Sequence, residues 1–195
     1  MSRKNYTKTL VLSGILAALI FVFTYLTRIP INQNGAYMNI GDCVIYVSGM
    51  LVGAPWAAAA AGIGSMLADV MLGGGIYIPA TLVIKALMGF VCALLLRKTR
   101  DNRQMYSEET QGEENRSWVQ RFASYFKNNK AFVRFVLVCI LGGAIMVVGY
   151  GVFEWVAFGW TYTIGALPFN LIQWTAGVVG AVVLYYPVRR IQESL

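Results

Sequence analysis

The sequence predicts an all-α integral membrane protein: one compact bundle of six transmembrane helices, residues 1–195, with both termini cytoplasmic. Two observations carry this. Apolar residues make up 57% of the 195-residue chain and charged residues only 13%, about half the charged share of a soluble domain. The apolar residues fall in runs suited to crossing a bilayer. The basic residues are segregated as well. Fourteen of the sixteen lie at Arg3, Lys4 and Lys8, between Arg97 and Arg134, or at Arg189 and Arg190. This is the positive-inside pattern. The net charge of +7 therefore reads as membrane topology and argues against nucleic-acid binding.

The first span covers about 10–27 and ends at Arg28 and Pro30. Its basic start resembles a signal peptide, but no A-x-A site follows, so a retained span is expected. The second, about 40–54, is short and carries Asp42 near its start. The third, about 55–72, opens on Pro55, which suits a first helical position. The fourth covers about 79–96, the fifth 131–153 and the sixth 167–186. Loops 28–39, 73–78 and 154–166 then face outside, and 97–130 faces the cytoplasm. Within that inner segment, "SWVQRFASYFKNNK" places Trp118, Phe122 and Tyr125 or Phe126 at helical spacing, with Arg121 and Lys127 available to headgroups. It reads as an interfacial helix at 117–127 or as an extension of span 5.

Small residues line two spans. In "PWAAAAAGIGSMLAD", Ala57, Ala61 and Ser65 repeat every four residues, as do Ala60, Gly64 and Ala68. Such faces let helix backbones approach closely in lipid. In span 1, Ser13 and Ala17 are four apart, as are Gly14 and Ala18. That face suits internal packing or docking of another membrane subunit.

The chain has no histidine, and Cys43, Cys92 and Cys139 lie in separate apolar runs. No metal site is expected, and the cysteines read as small packing residues. No Walker A, GxSxG or HExxH motif is present, so no catalytic residues are assigned. Charges inside spans are costly and face a cavity or a partner. Asp42, Asp69, Lys85 and Glu154 qualify. Lys85 lies about 9 Å into its span at 1.5 Å per residue. On adjacent antiparallel helices, Asp69 and Lys85 could form a structural ion pair or a polar floor for a ligand. Asn170, Gln173 and Trp174 share a helix face, and amides facing lipid would be expensive. Aromatic walls with a few convergent polar groups suit a flat heterocycle.

The stretches "SGILAALIFVFTYLTRIPI", "GAYMNIGDCVIYVSGMLVGAPWAAAAAGIGSMLADVMLGGGIYIPATLVIKALMG" and "LPFNLIQWTAGVVGA" resemble the substrate-binding S component of an energy-coupling factor (ECF) vitamin transporter. The block from Gly41 to Gly89 is the most specific part and is similar to the riboflavin, hydroxymethylpyrimidine or pyridoxine branch. The resemblance implies uptake of a vitamin or precursor, no cofactor and no intrinsic ATPase. It implies a transmembrane coupling subunit and two cytoplasmic ATPases as partners. It maps the docking face onto Ser13, Gly14, Ala17 and Ala18, where serine or glycine stands in the first place of the family's Ala-x-x-x-Ala. It places candidate substrate-binding residues at Tyr37, Asn39, Tyr77, Lys85, Trp155, Asn170 and Gln173, beside Trp174 from the amide face. Gly73, Gly74 and Gly75 would then be a lid, with Asp69 and Lys85 fixing the helices beneath. The competing classes are a rod-shape-determining membrane scaffold without ligand and a small membrane enzyme using Asp42 and Glu154.

Overall fold

The structure, a computed structural model, describes residues 3–31, 36–100 and 130–194. The interfacial helix expected at 117–127 lies outside the described residues. The elements in order are α1 (Arg3–Leu26), β1 (Ile29–Pro30), β2 (Tyr37–Met38), α2 (Asp42–Leu51), α3 (Ala54–Leu72), α4 (Tyr77–Arg100), α5 (Lys130–Phe158) and α6 (Trp160–Ser194). All helices but α2 are long and apolar enough to cross a membrane. Their outward faces carry large apolar side chains, such as Val83, Leu87, Phe90 and Leu94 on α4. The chain folds as a multi-pass membrane bundle, its apolar exterior suited to lipid.

Three elements depart from the sequence expectation. First, α2 has only ten residues. At 1.5 Å per residue it spans about 15 Å, half of a bilayer's hydrocarbon core. Nine of its residues, Asp42 to Met50, are buried, because α2 packs against α4 and α6. It is a short helix enclosed by its neighbours, and with the residues that follow it carries the chain from Thr24 near the end of α1 to Trp56 beside Tyr6 near the start of α1. Second, the expected outer loop at 154–166 is helical. A positive φ of 88° at Gly159 lets α5 and α6 meet through a single non-helical residue. The aromatic run on either side continues the two helices. Third, a two-stranded antiparallel ladder, Ile29 opposite Met38 and Pro30 opposite Tyr37, closes the connection between α1 and α2.

Helix α3 lies between α1 and α4, and its small residues make that possible. A side chain at Gly64 would strike the Ala17 carbonyl oxygen and Ile20 of α1. The small face of α1 is thereby divided. Ser13 is buried and Ala17 abuts α3, whereas Gly14 and Ala18 are exposed. A Cβ on Gly14 would meet nothing within 4 Å. Gly64→Val is expected to destabilise the bundle by about 1–3 kcal/mol, read as a lower melting temperature in detergent. Gly14→Val should leave that temperature unchanged.

Candidate functional site

The site grows from the chain entering α2. The β1–β2 ladder positions Tyr37 and Asn39. The Asn39 side-chain oxygen accepts from the Gly41 N–H (2.9 Å), a local turn that leads directly into α2. The Ile40 N–H donates to Thr27 Oγ1 (3.0 Å), tying the same turn to the end of α1. Asp42 then becomes the first residue of α2, where the helix dipole favours an acid.

Asp42 forms a buried ion pair with Lys85 of α4. Its second oxygen accepts from Gln173 Nε2 of α6 (2.9 Å). The Gln173 carbonyl oxygen accepts from the Asn39 backbone N–H (3.1 Å) and faces Asn39 Nδ2 (3.5 Å). One network therefore joins α2, α4, α6 and the ladder. The pairing of Asp69 with Lys85 raised by the sequence is not the one that forms. Asp69 accepts from the Tyr37 hydroxyl instead, and Lys85 goes to the acid of α2. Burial, followed by the Asp69 charge, pushes the Tyr37 phenol well above its ordinary range, so it remains a donor.

Above this network lies a cavity of about 440 Å³, a figure that includes its open mouth. Thr24, Ile31, Ala36, Tyr37 and Asn39 line it from α1 and the ladder. Ser65 and Asp69 line it from α3, and Tyr77, Thr81 and Lys85 from α4. Tyr150 and Glu154 complete it from α5, with Asn170 and Gln173 from α6. Glu154 accepts from Tyr77 (3.3 Å) and from Asn170 Nδ2 (3.4 Å). Tyr77 also pairs with Tyr162 (2.9 Å), and Thr81 with Tyr150 (2.9 Å). The Tyr77 ring packs against Phe153 and Phe158, giving the cavity an aromatic wall.

Of the residues singled out from sequence, Tyr37, Asn39, Tyr77, Lys85, Asn170 and Gln173 meet at this cavity. Trp155 and Trp174 are not among its lining. Trp155 is 57% exposed and packs edge-on against Trp160. The Trp174 ring fills the space above Gly143 of α5, a helix-packing role. Nor do Gly73, Gly74 and Gly75 line the cavity. Gly73, at φ 70°, caps the C-terminus of α3, and the lining on that side comes from the ladder and its flanks, Ile31, Ala36, Tyr37 and Asn39. Sequence reasoning missed Ser65, Thr81 and Tyr150 and left Glu154 at a helix end. A signal was present: Ser65/Asp69, Thr81/Lys85 and Tyr150/Glu154 are each four residues apart, one polar face per helix.

These features, a cleft lined by aromatic and polar groups at one end of a membrane bundle, agree with the comparison to known families. ECF-type riboflavin transporter, S component, matches residues 4–112, more than half of the chain. The chain belongs to the ECF transporter S components. As a member, it is a membrane subunit that binds a small-molecule substrate for transport, not an enzyme, and it associates with components of an ECF module. The S component is also 28% identical, over 158 residues, to a Pyrococcus woesei protein described as "Uncharacterized protein in gap 3'region". That alignment covers 81% of this chain and 86% of the relative.

The Lys85–Asp42 pair makes a stability prediction. Removing one partner strands a buried charge. Lys85→Met should therefore cost about 3–5 kcal/mol. Adding Asp42→Leu should recover most of the loss, because replacing a whole buried pair by apolar groups is close to neutral. Thermal melting of the two variants in detergent checks both expectations.

Proposed function

We propose that this S component binds a water-soluble vitamin or vitamin precursor with high affinity in the cavity beneath the β1–β2 ladder. The substrate class is hydroxymethylpyrimidine or another thiamine precursor, pyridoxine, or riboflavin. The observation that carries the reading is the cavity itself. Aromatic rings and hydrogen-bonding groups from five helices converge on it, the arrangement that recognises a flat polar heterocycle. Tyr37, Asn39, Tyr77, Lys85, Asn170 and Gln173 are its proposed contacts.

With both termini cytoplasmic, the cavity opens outside and loads there. Energy comes from the partners: a transmembrane coupling subunit and two cytoplasmic ATPases. The exposed Gly14 and Ala18 of α1 are the proposed docking surface, with Ser13 and Ala17 setting the packing behind them. The cell membrane is the expected location. The family match and the cavity favour this reading over the rod-shape-determining scaffold, and no feature of the described residues supports the scaffold.

Purification from rich medium in mild detergent, followed by denaturation and mass spectrometry of the supernatant, should release a vitamin or precursor at a stoichiometric ratio. An empty protein that also binds nothing from a vitamin panel would defeat the proposal. Gly14→Val should retain ligand binding yet reduce recovery of the coupling subunit in a pull-down.

A further inference from the structure

The charges at the cavity do not balance, and the imbalance specifies a ligand. Asp69 and Glu154 bring two carboxylates to the cavity lining, and Asp42 lies behind it as the partner of Lys85. Lys85 brings the one ammonium among the described residues that line it. Lys85 is committed to Asp42, whose other oxygen is taken by Gln173. Arg28, the remaining cation at this end, is exposed and lies over the Tyr37 ring, 5.9 Å from its centroid.

Asp69 and Glu154 are left with neutral partners. Asp69 is 1% exposed and receives the Tyr37 hydroxyl on Oδ1. Its Oδ2 is buried with no hydrogen-bond partner among the described residues. The Thr81 hydroxyl also faces this carboxyl group; it shares a hydrogen bond with Tyr150 and can accept there while donating to Asp69. One helical turn away, Ser65 is also 1% exposed, and its Oγ likewise has no partner among the described residues. Glu154 is 2% exposed and holds only the long contacts from Tyr77 and Asn170. Buried polar atoms without partners are rare in folded proteins, and each calls for a physical explanation. Among such atoms in the described residues, Asp69 Oδ2 and Ser65 Oγ belong to residues lining one cavity.

We infer that the cavity selects a cationic, amine-bearing nitrogen heterocycle over neutral or phosphorylated relatives, its donors meeting Asp69 and Ser65 and its charge offsetting Asp69 and Glu154. This rests on the proposed vitamin-binding role and adds the charge and donor pattern of the substrate. A cation supplies the opposite charge that buried carboxylates require. A phosphate would meet two carboxylates with no free buried cation to offset them.

The test is a titration of the purified full-length protein with ligands that share a ring and differ in charge. Thiamine is compared with thiamine pyrophosphate, and pyridoxamine with pyridoxine and pyridoxal phosphate. Riboflavin is compared with its monophosphate. The cationic member of at least one set should bind at least about tenfold tighter than its neutral or anionic relatives. Asp69→Asn should remove most of that preference, and so should Glu154→Gln. Ser65→Ala should weaken the cation while preserving the order of the set. Melting of each apo variant separates loss of recognition from loss of fold. Tightest binding of riboflavin, pyridoxine or any phosphate overturns the charge assignment and leaves the vitamin-binding role standing. Cation preference that survives in well-folded Asp69→Asn and Glu154→Gln overturns it as well. Binding of no member, with nothing co-purifying, overturns both.

Discussion

The Lys85–Asp42 ion pair is the constraint around which the bundle is arranged. In lipid neither charge can be left facing outward without a large cost. Asp42 is the buried first residue of α2, so its acid needs a partner inside the bundle. The solution places Asp42 at the dipole-positive start of α2 and brings Lys85 to it from α4. Gln173 from α6 satisfies the second oxygen. Because Gln173 also receives Asn39, the pair fixes the ladder as well as three helices. A buried pair of this kind is weak evidence for extra stability, since both ions are desolvated. What it supplies is register: it settles where α2 begins and which faces of α4 and α6 turn inward.

The bundle is polar at one end and apolar at the other. Toward the ladder, rows of Ser, Thr, Tyr, Asn and acid side chains on α3 to α6 converge. Away from it, Phe132 and Phe135 pack on Tyr185, and Cys92 and Cys139 are fully buried beside Tyr46, Met88 and Met146. The small residues of α3 permit this division. They let α1 and α4 each approach α3 closely along its midsection.

The docking face illustrates how one sequence pattern serves two purposes. Ser13, Gly14, Ala17 and Ala18 read as a single small stripe, yet a helix presents residues one position apart at about 100°. Ala17 therefore turns toward Gly64 of α3, while Gly14 and Ala18 point away from the bundle. The side toward α3 serves internal packing, and the exposed side is the one proposed for docking. The two sides are adjoining strips of the same helix.

The sequence by itself determined the membrane class, the long helices and the family resemblance, because these follow from local composition and hydropathy. It also determined which residues were too polar for lipid, and Lys85, Asn170 and Gln173 do line the cavity. Tertiary structure decided the partners. Asp69 stands on the helix next to Lys85, so spacing favoured their pairing. The shorter route to Asp42 exists only because α2 folds back into the core, a placement that no linear pattern encodes. Tertiary structure also separated Trp155 and Trp174 from the site, since aromatic residues serve equally as membrane belt, helix packing and ligand wall. It added Ser65, which reads in the sequence as one more small packing residue. Its buried hydroxyl becomes significant only where the cavity leaves it without a partner.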